Sequence, residues 1–203
     1  MPVQEPDRLH AGLADRRADI LAAAGQHFRL YGYDKTTVSD IARAVGFSPA
    51  YIYKFFESKQ ALGEAICREC LSGIDAALVR VAASDASPSS KIISIFHTLA
   101  ECAEDLALTE CRLKDMVVAA HDGRWPAFEA HEARLAEIVA RTVKAGRRAG
   151  VFERVTPIEE TCQAILWVLE PFRNPGLWSA KAGALKTQAT VLSALVLRSL
   201  NSR

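Results

Sequence analysis

The chain has 203 residues, half of them apolar, 24% charged and 7% aromatic, and its 25 lysines and arginines stand against 24 acids. This is the make-up of a folded globular chain long enough for one large domain or two small ones, which excludes a disordered, collagen-like or coiled-coil fibre reading. Two further things are excluded: a spanning helix, because no window approaches roughly eighteen unbroken apolar residues, and a net basic field, so nucleic-acid contacts have to come from local geometry.

The opening MPVQEPDRLH places acids and prolines where a secretory leader needs a basic start and an apolar block, so the cytoplasm is the expected compartment. From Asp15 to Ala83 proline and glycine are scarce, and apolar residues recur at three and four. That period predicts helices. In the first, Ile20, Ala24, Phe28 and Tyr31 form a stripe, and Gly32 supplies the stop that a helix C-terminus favours. Thr36 and Thr37 precede Asp40 in a capping-box-like opening of a second helix running through Val45. Gly46 breaks the run, and Ser48-Pro49 caps a short third helix, about Pro49 to Phe55. Glu57-Ser58-Lys59 opens a fourth, whose stripe of Leu62, Ile66, Glu69 or Cys70, and Ile74 runs toward Ala83.

SDASPSS, residues 84–90, is the sharpest shift in composition and predicts a linker. Helical patterns follow at about 91–106, 111–121, 126–149, 157–172 and 179–201, with no strand pattern to compete, so the fold class is all-α. Phe128, His131, Leu135, Ile138 and Thr142 space themselves as a narrow seam. Val191 to Leu197 are apolar nearly all round, and a terminal helix without a wet face needs cover on both sides. Part of that cover is expected from a second copy, with helices 157–172 and 179–201 pairing as a four-helix bundle in a homodimer.

The run VSDIARAVGFSPAYIYKFF, Val38 to Phe56, carries the functional signal. Ala42 is small where two short helices approach, Gly46 takes the positive φ of the turn, and Ile52 and Phe55 are expected inside. Ser48, Ala50, Tyr51, Tyr53 and Lys54 are then left facing out. A helix-turn-helix needs such small, hydroxylated and basic residues at the start of its second helix, because that end enters the major groove. Thr36, Thr37 and Lys59 sit at helix N-termini, where free amides with a hydroxyl or an ammonium grip phosphate oxygens. Within residues 13–60 seven basic residues, Arg16, Arg17, Arg29, Lys35, Arg43, Lys54 and Lys59, face five acids.

The elements F-x-x-Y-G-Y-x-x-T-T-V-x-D-I-A-x-x-V-G-F-S and Y-I-Y-K-F-F-E-S-K-x-x-L, inside the run from Ile20 to Leu62, resemble the DNA-binding domain of the tetracycline-repressor (TetR) family. The resemblance implies an N-terminal helix-turn-helix domain, placed at residues 14–74 with the motif at 37–56, and a divergent ligand-binding and dimerisation domain at 75–203. By position Thr37 matches the family's phosphate contact, Tyr53 its phosphate-contacting tyrosine and Lys59 its lysine, while Ser48 and Tyr51 fall where members touch bases or backbone. Phe55 stands where the family often has histidine. Beyond Lys91 the likeness is one of outline: Trp125-Pro126, then RRAGVFERVTP, then LEPFRNP. The implied function is a regulator, most simply a repressor, that binds an inverted-repeat operator duplex and is released by a small apolar effector.

For the effector, Phe96, Leu99, Met116, Trp125, Phe128 and Trp167 are the expected lining of a cleft between helices. The plain alternative is that they are core. Five cysteines fit buried thiols better than disulfides. A metal- or thiol-responsive regulator would instead use Cys67-x-x-Cys70, or gather His97, His121, His131, Cys102, Cys111 and Asp122, though their spacing is no ligand signature. His121-Asp122 with Ser94 lacks a nucleophile elbow and oxyanion glycines, so no enzymatic activity and no cofactor are expected.

Overall fold

The computed structural model describes residues 5–108, 111–178 and 183–201. Among these the chain is helical: α1 Glu5–Tyr31, α2 Val38–Ala44, α3 Pro49–Ile52, α4 Lys59–Ala83, α5 Pro88–Leu108, α6 Cys111–Asp122, α7 Pro126–Arg148, α8 Ile158–Val168, α9 Glu170–Arg173, a 3₁₀ turn Pro175–Leu177, and α10 Leu185–Leu200. The one pairing of extended backbone among described residues is an isolated bridge between Phe152 and Asn201. No helix among them is long and apolar enough to cross a membrane.

Four boundaries differ from the sequence expectation, each for a local reason. α5 begins at Pro88, because the Ser87 hydroxyl accepts from the Ser90 amide at 3.1 Å and caps the first turn, so only residues 84–87 connect α4 to α5. The helix expected at 157–172 breaks at Leu169, since Pro171 has no amide proton to continue the ladder. The last helix runs from Leu185, just after Gly183 at φ +84°, and residues 179–182 lie outside the described ones. At the other end, α1 extends well before Asp15, and Tyr31 is exposed although Ile20, Ala24 and Phe28 are in the core.

α4 departs from expectation in a more telling way. A single stripe through Cys70 and Ile74 is not what it buries: Leu62 and Ile66 are in the core early, then Cys67, Leu71, Asp75 and Leu78, with Cys70 and Ile74 at the margin and Glu69 exposed. At about 100° per residue the second set lies roughly half a turn round from the first. The helix therefore serves two neighbourhoods with two faces, and it runs unbroken across position 74. Near its start Gly63 meets Tyr33 and Trp125; further along, Asp75 meets α7.

The seam of α7 is as expected, with Phe128, His131, Leu135, Ile138 and Thr142 all buried. It lies along α4, where His131 Nδ1 donates to Asp75 at 2.6 Å and Arg134 pairs with the second oxygen of the same carboxylate. A buried carboxylate needs such partners, because one left alone would cost several kcal/mol. α10 lies along α5, burying Leu185, Ala189, Val196 and Leu200 and leaving Val191 60% and Leu195 51% exposed.

Packing is tight at Gly63, where a Cβ would fall 2.8 Å from both Trp125 Cη2 and Tyr33 Cε2. Alanine would gain about 1 kcal/mol of helix propensity there, but overpacking against two rings costs about 1–3 kcal/mol. Gly63→Ala is expected to lower stability by about 1 kcal/mol net, read as a lower urea midpoint at unchanged m-value; a higher midpoint would show that the rings yield freely.

Candidate nucleic-acid interface

The α1–α2 loop is built by Gly32 at φ +88°, which ends α1, and by Thr36, which is buried. Its hydroxyl donates to the Gly32 carbonyl at 2.8 Å, so Thr36 satisfies the end of α1 and offers no side chain to a phosphate; the expected contact falls away. Thr37 is exposed and caps α2. The Asp40 amide donates to its hydroxyl oxygen at 3.2 Å, while the Thr37 hydroxyl and amide donate to the Asp40 carboxylate at 2.6 and 3.0 Å. These bonds hold the Asp40 carboxyl below the usual carboxylate range, the Thr37 side-chain bond first among the causes and Arg43 adding to them.

α2 and α3 meet through Ile41, Ala42 and Ile52, all buried, and Gly46 at φ +72° makes the turn that the sequence pattern requires of it. The Phe47 amide donates to the Ala42 carbonyl at 2.9 Å and closes it. Ser48 caps α3 by accepting from the Tyr51 amide at 3.2 Å. Past Ile52 the chain continues in tight turns, and here the inward residue is Phe56. Phe55 is only half-buried, contrary to expectation, because it packs edge-on against Tyr51 at 5.3 Å. Tyr51 is thereby half-buried too, tilted on Phe47 at 4.7 Å on its other side.

Ser48, Ala50, Tyr53 and Lys54 face solvent together on this edge, as read from the sequence. Lys59 is more committed than expected: in the free protein its ammonium donates to the Asp34 carbonyl at 3.2 Å and lies 4.4 Å from the centre of the Tyr33 ring. It pins the α1–α2 loop with at least one of its protons. Sequence reasoning counted Arg16 and Arg17 but gave them no place. The fold sets Arg17 over Phe56 at 4.8 Å and Arg16 over Phe47 at 5.5 Å, and Arg17 borders one crevice with Tyr51, Lys54 and Phe55. No local pattern carries that signal, since each arginine lies more than thirty residues from the ring it covers.

The residues expected to line a ligand cleft divide. Phe96, Leu99, Met116, Trp125 and Phe128 are buried in one continuous core, and only Leu99 and Phe128 border its small cavity. Trp125 is a junction residue, edge-on to Tyr33 at 5.5 Å. Trp167 corrects the expectation outright: it is 69% exposed and lines a groove of about 870 Å³ between α8 and α10, alongside Leu195. The soft-ligand alternative gains no geometry. His131 goes to Asp75, His121 to Asp122 at 2.9 Å and His97 toward Thr190, and among the described residues no three ligand-type side chains converge. The side chain of Cys111 lies outside the described residues. Burial pushes the Cys67 thiol up to about 12 and raises those of Cys102 and Cys162, which opposes thiolate chemistry.

With this geometry in place, residues 20–66 match the model of a family described as bacterial regulatory proteins, tetR family. That match places residues 20–66 within the tetR family. A 57-residue stretch is 46% identical to an HTH-type transcriptional repressor of Mycobacterium tuberculosis, covering 28% of this chain and 30% of that one. A 91-residue stretch is 30% identical to the HTH-type transcriptional repressor KstR2 of Mycolicibacterium smegmatis, covering 45% of this chain and 44% of the other. The match thus spans less than half the length of either relative. In fold, the chain is similar to the ketosteroid transcriptional regulator KstR2 of Mycobacterium tuberculosis, with a TM-score of 0.61 at 21% identity over 93% of this chain and 96% of that one.

Because the Asp40 carboxyl titrates below its unfolded value, its contribution is complete above the ordinary carboxylate range and is lost as pH falls through the lowered value. Asp40→Asn is therefore expected to flatten the loss of stability as pH falls below about 4 relative to the parent, measured by thermal melts across an acid series. Parallel curves for the two proteins would remove the capping box from the acid sensitivity.

Proposed function

We propose that this chain is a TetR-family transcriptional repressor that binds an inverted-repeat operator as a homodimer and is released by a small apolar effector, with residues 14–74 reading DNA and 75–203 serving ligand and dimer. The observation that carries the reading is that Ser48, Ala50, Tyr53 and Lys54, in and around α3, are all exposed, as is Thr37, the cap of α2. In that setting Ser48, Ala50 and Tyr51 read base edges, Tyr53 and Lys54 hold the backbone, and Thr37 fixes the register of α2 on a phosphate. Lys59 acts by positioning the loop that carries Thr37, and its remaining protons serve a phosphate oxygen. Trp167 and Leu195 support the dimer, because two apolar side chains this exposed flank one groove on a single chain.

A dimer presents two α3 helices, whose separation has to match groove repeats about 34 Å apart or a multiple of it. Selection of duplexes from a random pool by the full-length chain is expected to return an inverted repeat. Tyr51→Phe keeps the ring between Phe47 and Phe55 and removes only the hydroxyl, so it should relax preference at one position per half-site by about 1 kcal/mol. No enrichment at all would sink the regulator reading, and an unaltered preference would take Tyr51 out of base readout.

The dimer has its own check. Leu195→Asp costs the single chain little, because the position is already half exposed, yet it buries an unpaired charge in a symmetric interface. Monomers in sedimentation velocity with an unchanged helical circular-dichroism signal are the expected result; an intact dimer would place the interface elsewhere.

A further inference from the structure

One ion pair divides two spaces in the bundle. The inner is a cavity of about 20 Å³, walled by Leu71, Leu99, Phe128, Phe172, Trp178 and Arg173, enough for about one water. The outer is an open crevice of about 500 Å³ bordered by His121, Arg124, Glu132 and Glu170. Phe128 and Arg173 border both.

Arg173 ends α9, the short helix created by the break at Leu169. Its guanidinium meets Glu132 on two edges, Nη2 against Oε2 and Nε donating to Oε1 at 3.2 Å. Nη1 donates to the Leu166 carbonyl at 2.8 Å and lies 3.6 Å from Glu170. Desolvation by burial holds its pKa below the usual guanidinium value. The cation is thus fixed from behind by the end of α8 and faced in front by a carboxylate at the mouth.

Trp178 is also a wall of the inner cavity. Trp178 is 4% exposed, and its Nε1 has no acceptor among the described residues. Native structures rarely leave a buried N–H in that state without a reason. His131, which borders the same cavity, is held by Asp75 through Nδ1, so the wall it forms is fixed in orientation.

We propose that this is the effector site and that the effector is an apolar carboxylic acid, whose carboxylate replaces Glu132 on Arg173 and accepts from Trp178 while its apolar body fills the joined crevice and cavity. The proposal rests on the ligand-response reading above and names the ligand for it. Its logic is replacement in kind: Glu132 already shows the planar, two-oxygen group that this guanidinium takes. Once displaced, Glu132 turns into water at the edge of α7, whereas Arg173 stays anchored to Leu166. A neutral ligand of the same shape has no charge to exchange for that of Glu132, so the ion pair stays closed to it. A dianion carries more charge into an apolar space than one guanidinium offsets.

The test uses the full-length protein, titrated with straight-chain carboxylates from hexanoate to decanoate and with the alcohols of the same lengths, reading tryptophan emission and melting temperature. At least one acid is expected to bind and raise the melting temperature, with the matched alcohol weaker by at least about tenfold. The double variant Arg173→Gln with Glu132→Gln leaves without its cation only Glu170, which is half exposed and still accepts from Asn174, so it should melt near the parent and bind the acid at least about tenfold more weakly. Trp178→Phe should weaken the acid severalfold while leaving the alcohol unchanged. Equal binding of acid and alcohol, parental acid affinity in the double variant, or no binding by any acid in the series each overturns the proposal. Duplex affinity measured in the same samples separates the two readings: acid binding that leaves duplex affinity unchanged removes effector release and keeps the site, while intact duplex binding without acid binding removes the site alone.

Discussion

Trp125 stands edge-on to Tyr33 and against the bare Cα of Gly63, and Tyr33 carries the Lys59 ammonium on its face. Through this contact the loop that begins α2, the first turns of α4 and the start of α7 share one wedge. Interiors at crystal-like density do not absorb sub-ångström shifts locally, so a displacement of Trp125 has to move either the loop or α4. The N-terminal helices are thus joined to the bundle through an indole and a missing methyl group, as well as through the packing of α1 on α6 and α4.

The two faces of α4 follow from the same constraint. Its first turns are buried against the helix-turn-helix unit and the Trp125 wedge, and its later turns against α7, where Asp75 receives His131 and Arg134. A rod gripped on opposite sides at its two ends transmits rotation, and coupling of about 1–3 kcal/mol between ligand and DNA needs only a small change in how the second grip is set. The proposed site lies at that second grip, since His131, Phe128 and Leu71 all border it.

The local rules were the legible part of the chain. Thr37 with Asp40, Ser48 before Pro49, and Gly46 in the turn are each dictated by neighbours within four residues, and each stands where the pattern puts it. The seam of α7 was readable for the same reason. What failed depended on distant partners. Thr36 reads as a second capping threonine until the end of α1 claims its hydroxyl, and Phe55 reads as core until Tyr51 claims its ring. The stripe on α4 was drawn as if one helix had one partner. Trp167 reads as the lining of a cleft between helices, yet on the single chain it stands on the open side of a groove. Asp75, the most consequential buried charge, sat unmarked in the sequence because nothing near it announces His131 fifty-six residues away.

The core closes within a single chain, with Val196, Leu200 and Ile165 inside while Leu195 and Trp167 remain on the outer side of the groove. On the proposed reading, a subunit whose core closes within one chain makes folding and pairing separate equilibria. Occupancy of a two-part operator then rises with the square of subunit concentration below the pairing constant. A cell carrying such a protein obtains a sharp threshold from abundance alone, before any effector is present.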